Sequence, residues 1–107
     1  MERVVLIGAI THLQNESVSK EYLKELEFLT ETAGGHTIKV FTQNIAAIHS
    51  KTFLGKGKIF DISKYIKQNN IDTAIFDDEL TPSQQKNLEE LLHCKIVDRI
   101  NLILSIF

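Results

Sequence analysis

The sequence has few of the residues that brace small proteins through covalent bonds or metals. It has one cysteine, Cys94, so no disulfide bond forms within the chain, and a lone thiol is typical of a reducing compartment. Its four histidines are scattered without the spacing of zinc ligands. We therefore expect no metal site built on histidine or cysteine, and a fold that rests on its hydrophobic core.

Neither positive charge in excess nor a long apolar run is present. The net charge of −2 excludes a strongly basic nucleic-acid module, so we expect no DNA partner, and any contact with RNA must be local. The first apolar run is only about eight residues long, too short to cross a bilayer, and it lacks a signal-peptide cleavage pattern. We expect a cytoplasmic protein with no membrane partner.

Motifs for catalysis are missing as well. The segment that ends in Gly57 and Lys58 is not a Walker A loop, because position 52 is threonine where the motif needs glycine. No serine lies in a nucleophile elbow, and no cysteine and histidine are paired by position. We therefore expect no catalysis by this chain alone.

The apolar pattern alternates between strand-like and helix-like periods. It predicts strands at residues 4–10, 37–43, 71–76 and 95–97, and helices at 17–33, 58–69, 82–93 and from Arg99 onward. Ser17 or Ser19 is expected to cap the first helix, and Thr81 to Gln84 form a capping box for the third. The buried stripe expected on the first helix is Val18, Tyr22, Leu26, Leu29 and Ala33.

This order predicts an α/β fold, β-α-β-α-β-α-β, with a four-stranded parallel sheet. Such a sheet is doubly wound, with helices on both faces, because each right-handed crossover carries a helix over one side. The first strand is the most apolar and should be central, which favours the strand order 2-1-3-4. We expect one domain over residues 1–98, followed by the start of another helix over 99–107.

Residues 44–57 show no clear period and are predicted to form a long loop before the second helix. Loops of that length are often functional. Free amides, lysine charge and a helix start would together form a phosphate or RNA-backbone site there, although the glycines alone could serve only to allow a tight turn. The candidate residues are Lys51, Gly55, Lys56, Gly57 and Lys58.

Acidic and basic residues also follow the third and fourth strands, where ligands collect in open α/β sheets. Asp77 and Asp78 could bind Mg²⁺, or they could form a solvated turn before the capping box. Asp98 and Arg99 could form an internal ion pair or an anchor for the last helix, or Arg99 could reach a phosphate. The apolar residues 102–107 are either a terminal helix packed on the sheet or the start of a longer one.

Several short segments occur in one order and at one spacing from about residue 4 to 107. They are Thr32-Ala33-Gly34, Leu54-Gly55-Lys56-Gly57-Lys58, Phe76-Asp77-Asp78-Glu79-Leu80-Thr81-Pro82-Ser83-Gln84, Asn87-Leu88 and Asp98-Arg99. Together these segments resemble the amino-terminal domain of HflX GTPases. The turn after Arg99 departs from the family pattern, with Ile100 and Asn101 where threonine and glycine are usual, and Ser105 replaces an acid.

The resemblance implies a partner of the large ribosomal subunit and its RNA, acting in ribosome rescue or splitting. It also implies downstream helical and G domains, the latter holding GTP and Mg²⁺, and a link to adenine nucleotides. On this view RNA or phosphate is contacted by Arg99 and by a lysine-rich stretch made of Lys51, Lys56, Lys58, Lys64 and Lys67. Two other hypotheses stay open, namely a small Mg²⁺-dependent ATP-binding domain and an interaction module that dimerises through residues 102–107.

Overall fold

The structure is a computed structural model that describes residues 2–106, with side chains up to residue 104. The sheet is four-stranded and entirely parallel, in the order β2-β1-β3-β4, so the predicted α/β class and strand order are confirmed. The elements are β1 (Glu2–Ile10), α1 (Glu16–Thr32), β2 (Gly35–Asn44), α2 (Lys56–Gln68), β3 (Thr73–Phe76), α3 (Pro82–Leu92), β4 (Lys95–Asp98) and α4 (Arg99–Ile106).

The central strand β1 divides the core into two layers. Val5 and Ile7 point to the layer formed by α2 and α3, whereas Val4 and Leu6 point to the layer formed by α1 and α4. All four side chains are at most 2% exposed, as expected for a strand covered on both faces. The doubly wound arrangement is therefore confirmed.

Helix α1 differs from its prediction in its cap and in its buried face. Asn15, not Ser17 or Ser19, caps it, since its side chain accepts from the Val18 amide at 3.0 Å. The buried face is shifted by one residue and leaves Tyr22 41% exposed. Two hydroxyl residues can be buried there because each donates to a backbone carbonyl. The buried residues are Ser19, Leu23, Leu26 and Thr30.

The connection from β2 to α2, residues 45–55, is folded against the core. It is shorter than the predicted loop, because β2 extends to Asn44 and α2 begins at Lys56. Phe53 adopts a positive φ of 67° and is 1% exposed. Its backbone pairs with His49 in both directions at 3.0 Å. Its ring meets Phe76 edge-on, with centroids 5.2 Å apart. The buried Phe53 ring holds the connection against β3. The periodicity of the local sequence could not predict this contact.

Helix α3 begins with the predicted capping box. The Gln84 amide donates to Thr81 Oγ1 at 3.1 Å, and the Thr81 amide donates to Gln84 Oε1 at 2.9 Å. The same Gln84 side chain donates through Nε2 to the His49 carbonyl at 2.9 Å. One glutamine thus ties the start of α3 to the connection between β2 and α2.

Helix α4 starts directly at the end of β4. Asp98 caps it, because its Oδ1 accepts from the Asn101 amide at 2.9 Å, and its Oδ2 accepts from the Leu80 amide at 3.1 Å. Leu102 is 6% exposed and packs against the layer of α1. The start of α4 is thus packed on the sheet, whereas the side chains of 105–107 lie outside the described residues.

Candidate functional site

The carboxyl ends of the strands carry two groups of charged side chains. One is an ion network around Asp77, at the end of β3. The other consists of the lysines of α2, the helix that follows the connection after β2. In open parallel sheets both positions belong to the edge where ligands bind.

The first group is internal. Arg99 Nη1 lies 2.8 Å from Asp77 Oδ1, Nη2 lies 3.2 Å from Glu25 Oε1, and the guanidinium covers the Tyr22 ring at 5.2 Å. The Asp77 side chain is 1% exposed. Its burial raises the pKa of this carboxyl, and the hydrogen bond and charge of Arg99 oppose that rise.

Arg99 takes part in an internal ion pair at the start of the last helix, but the predicted pair between Asp98 and Arg99 is wrong. The partner of Arg99 is Asp77, and Asp98 instead caps α4. Asp78 is exposed and accepts from the Glu79 amide at 2.8 Å. Within residues 2–106, no three acidic, histidine or cysteine side chains are grouped to hold a metal ion. Phosphate contact by Arg99 and Mg²⁺ binding by the aspartates stay predictions.

The start of α2 is only partly as open as the sequence predicts. The Gly55 amide is not free, because it donates to Gln43 Oε1 at 3.0 Å. Gly55 is the N-cap and provides no side-chain cap, and the first backbone bond into the helix runs from Ile59 to Gly55 at 3.1 Å. The amides of residues 56–58 precede that bond and form the positive end of the helix.

The lysines predicted as one basic stretch lie on separate faces of the fold. Lys51 lies beside α3, where its carbonyl accepts from Asn87 Nδ2 at 3.1 Å. Lys58 lies toward β2, with its ammonium 5.9 Å from the Phe41 ring. Lys64 lies on the outer face of α2, 4.8 Å from the Phe60 ring. No ion pair engages any lysine of α2 within the part of the chain that the structure describes.

Two residues beside these lysines were not predicted, namely Lys39, which shares the Phe41 ring with Lys58, and Phe60, which lies next to Lys64. The Lys39 ammonium lies 5.1 Å from the Phe41 ring and 5.0 Å from the Tyr65 ring. Its alternation with Phe41 along β2 was a usable signal, since residues two apart share a face. Phe60 is 60% exposed, and it falls outside the buried stripe of Ile59, Ile62 and Ile66. An aromatic on the polar side of an amphipathic helix was the second signal.

Comparison with known proteins decides the family. A family model described as GTP-binding GTPase N-terminal matches residues 20–107. The GTPase HflX of Flavobacterium psychrophilum is 54% identical over 106 residues, which make up 99% of this chain and 26% of that protein. The chain belongs to the HflX GTPase N-terminal family.

Other HflX relatives show the same pattern of coverage. HflX of Caldanaerobacter subterraneus subsp. tengcongensis is 42% identical over 106 residues, which are 99% of this chain and 24% of that protein. HflX of Escherichia coli is 40% identical over 87 residues, which are 81% of this chain and 20% of that protein. The chain thus spans about a quarter of the length of the curated HflX proteins it matches.

Solved structures support the fold of this HflX domain. A GTP-binding protein from the archaeon Sulfolobus solfataricus in complex with GDP matches with a TM-score of 0.73 at 21% identity. The match covers 99% of this chain and 30% of that one. A second structure, of SsGBP and GDP, matches with a TM-score of 0.76, also at 21% identity, over 99% of this chain and 28% of the other. Within residues 2–106, no helix has the length and apolarity needed to cross a membrane.

Proposed function

We propose that this chain is the amino-terminal accessory domain of an HflX-type GTP-binding protein, and that it helps that protein to bind RNA of the large ribosomal subunit. The observation that carries the proposal is that the lysines of α2 lack acidic partners within residues 2–106. That helix bears four lysines against Asp61 alone, its positive end has no side-chain cap, and no ion pair neutralises its lysines within residues 2–106. Lysines that are not paired with acidic side chains are available to contact the phosphates of a polyanion such as RNA.

The proposal assigns GTP and Mg²⁺ to the remainder of the parent protein. The relatives are named GTPases and extend well beyond the region that this chain matches. The chain itself has threonine at position 52, where a Walker A loop requires glycine. We expect the 107-residue chain to bind ribosomal RNA without hydrolysing GTP.

The test uses binding of the purified chain to large ribosomal subunits by co-sedimentation at several salt concentrations. The variant is Lys56→Glu with Lys58→Glu, and the matched control is Lys24→Glu with Lys86→Glu, which reverses two exposed lysines on α1 and α3. Each lost phosphate contact should lower the slope of log affinity against log salt by about 0.7–0.9. We expect weaker binding and a lower slope only for the α2 variant. Equal behaviour of the two variants would refute the proposal.

A further inference from the structure

A groove between α2 and α3 forms an apolar depression with a volume of about 500 Å³. Ile59, Phe60 and Leu91 give the groove its apolar surface, and Phe60 and Leu91 remain 60% and 45% exposed there. A depression of this size and apolarity falls within the range of small-ligand sites. Its lining residues are Thr52, Lys56, Gly57, Ile59, Phe60, Ser63 and Leu91.

The groove is built on fixed supports. Its two helices are joined by a hydrogen bond from Ser63 Oγ to the Leu91 carbonyl at 3.1 Å. Thr52 closes one end and is 4% exposed, and its hydroxyl donates to the Leu54 carbonyl at 2.7 Å. Ile59 forms the floor at 2% exposure. A site whose walls are already held in place loses little conformational entropy when a ligand enters.

The charges around the groove select the chemistry of its ligand. Lys56 is the one ionisable residue in the lining. Lys56, Phe60 and Lys64 are spaced by four residues and therefore follow one face of α2. The Lys64 ammonium lies 4.8 Å from the Phe60 ring. An exposed aromatic ring with a lysine one turn away on each side suits single-stranded nucleic acid, because the ring can stack on a base and the lysines can engage the phosphates.

We infer that this groove binds an unpaired RNA base, which stacks on Phe60 while Lys56 and Lys64 contact the phosphates on either side. The inference rests on the proposed function and specifies its ligand as a single-stranded nucleotide. A flat base has apolar faces for Phe60 and Leu91 and a polar edge that can donate to the Ser63 hydroxyl oxygen, whose own hydrogen is given to the Leu91 carbonyl. Because every base has an aromatic face, the site should tolerate any sequence.

The test measures fluorescence anisotropy of a labelled oligoadenylate of about ten nucleotides with the whole chain. Phe60→Leu keeps an apolar side chain but removes the ring, and it should weaken binding by at least about 5-fold. Phe60→Trp, which keeps an aromatic ring, should bind as tightly as the unmodified chain. Phe28→Leu is the matched control, because it removes a ring that is 68% exposed on α1, and it should bind as the unmodified chain does.

A second probe isolates the stacking contact. An abasic oligomer with the same backbone offers phosphates but no bases, so Phe60→Leu should leave its affinity unchanged. Lys64→Gln should weaken both oligomers and lower the salt slope by about 0.7, the value for a single-stranded contact. Because Phe60 is exposed, its replacement should leave the thermal unfolding midpoint unchanged. An unchanged midpoint would exclude misfolding as the cause of weaker binding.

Two results would overturn the inference. One is an unchanged affinity of Phe60→Leu for oligoadenylate, which would put the RNA elsewhere or reserve the groove for an apolar peptide. The other is an equal loss for the normal and the abasic oligomer, which would show that the ring does not meet a base. In either case the proposed function survives if reversal of Lys56 and Lys58 still weakens ribosome binding, so the two failures can be told apart.

Discussion

Removal of Arg99 should expose how much of the fold depends on one internal charge pair. The variant Arg99→Met keeps an unbranched apolar stem but leaves the Asp77 carboxylate, 1% exposed, without its counter-charge. Loss of one partner from a buried pair costs about 3–5 kcal/mol. The Arg99 side chain is 23% exposed, so solvent screens part of the interaction. We expect a loss of about 2–3 kcal/mol in the free energy of unfolding at neutral pH.

The matched control removes the outer partner of the same guanidinium. Glu25 is 59% exposed and lies 3.2 Å from Arg99 Nη2. Glu25→Gln should therefore cost less than about 1 kcal/mol, as exposed ion pairs do. Urea unfolding followed by circular dichroism resolves the two values. Equal losses for Glu25→Gln and Arg99→Met would refute the view that the buried half of the network is the important one.

The pH dependence gives an independent check. Burial raises the folded-state pKa of Asp77, so the folded protein binds this proton more tightly than the unfolded chain. Stability therefore falls as the pH rises from the ordinary value of about 4 through the raised value. In Arg99→Met the charge that opposes this rise is gone, so the loss should be largest at neutral pH and shrink toward about pH 4. Addition of Asp77→Asn should recover stability at pH 7, and a loss independent of pH would contradict the argument.

Three further predictions concern the backbone, a cap and the thiol. Gly34→Ala should lower the free energy of unfolding in urea by about 1–2 kcal/mol, because Gly34 has a φ of +92°. Gly57→Ala in α2 should raise it by about 0.5–1 kcal/mol. Effects of the same sign in both variants would contradict this reasoning. Thr81→Ala should lose about 1 kcal/mol in thermal melts, and no loss would mean that the capping box is dispensable. Burial raises the pKa of Cys94 to about 11. At pH 8 a disulfide reagent should therefore react with Cys94 of the folded protein roughly 100-fold more slowly than with Cys94 of the urea-unfolded chain. Similar rates would show that the thiol is accessible in the folded protein.

The architecture was predictable because each of its signals is local. Strand β1 is a continuous apolar run, the four residues from Thr81 form a capping box, and Gly34 ends α1 at a positive φ. Where the prediction failed, the cause was a contact across the chain. The face of α1 shifted by one residue because the Ser19 hydroxyl reaches the Ala9 carbonyl on β1. A small polar residue can be buried once it has such a partner, and periodicity alone does not reveal the partner.

The candidate site was predictable in composition but not in geometry. The lysines near α2 were identified, but their separation onto different faces follows from the helical turn and from the position of β2. Lys39 joins Lys58 at the Phe41 ring only because β2 lies beside that helix. The partner of Arg99 is likewise 22 residues away along the chain. Pairings of this kind depend on the order of strands in the sheet, which is a property of the whole fold.

The double role of Gln84 has a consequence for local motion. Its carbonyl oxygen completes the cap of α3, and its amide nitrogen holds the connection before α2 through His49. A rotation of this one side chain breaks both bonds, so the two segments should open together as a single cooperative unit. Their amide hydrogens should then exchange with solvent at a common rate. Thr52, the end wall of the groove, belongs to that unit, so RNA bound there should slow exchange in the first turn of α3 as well.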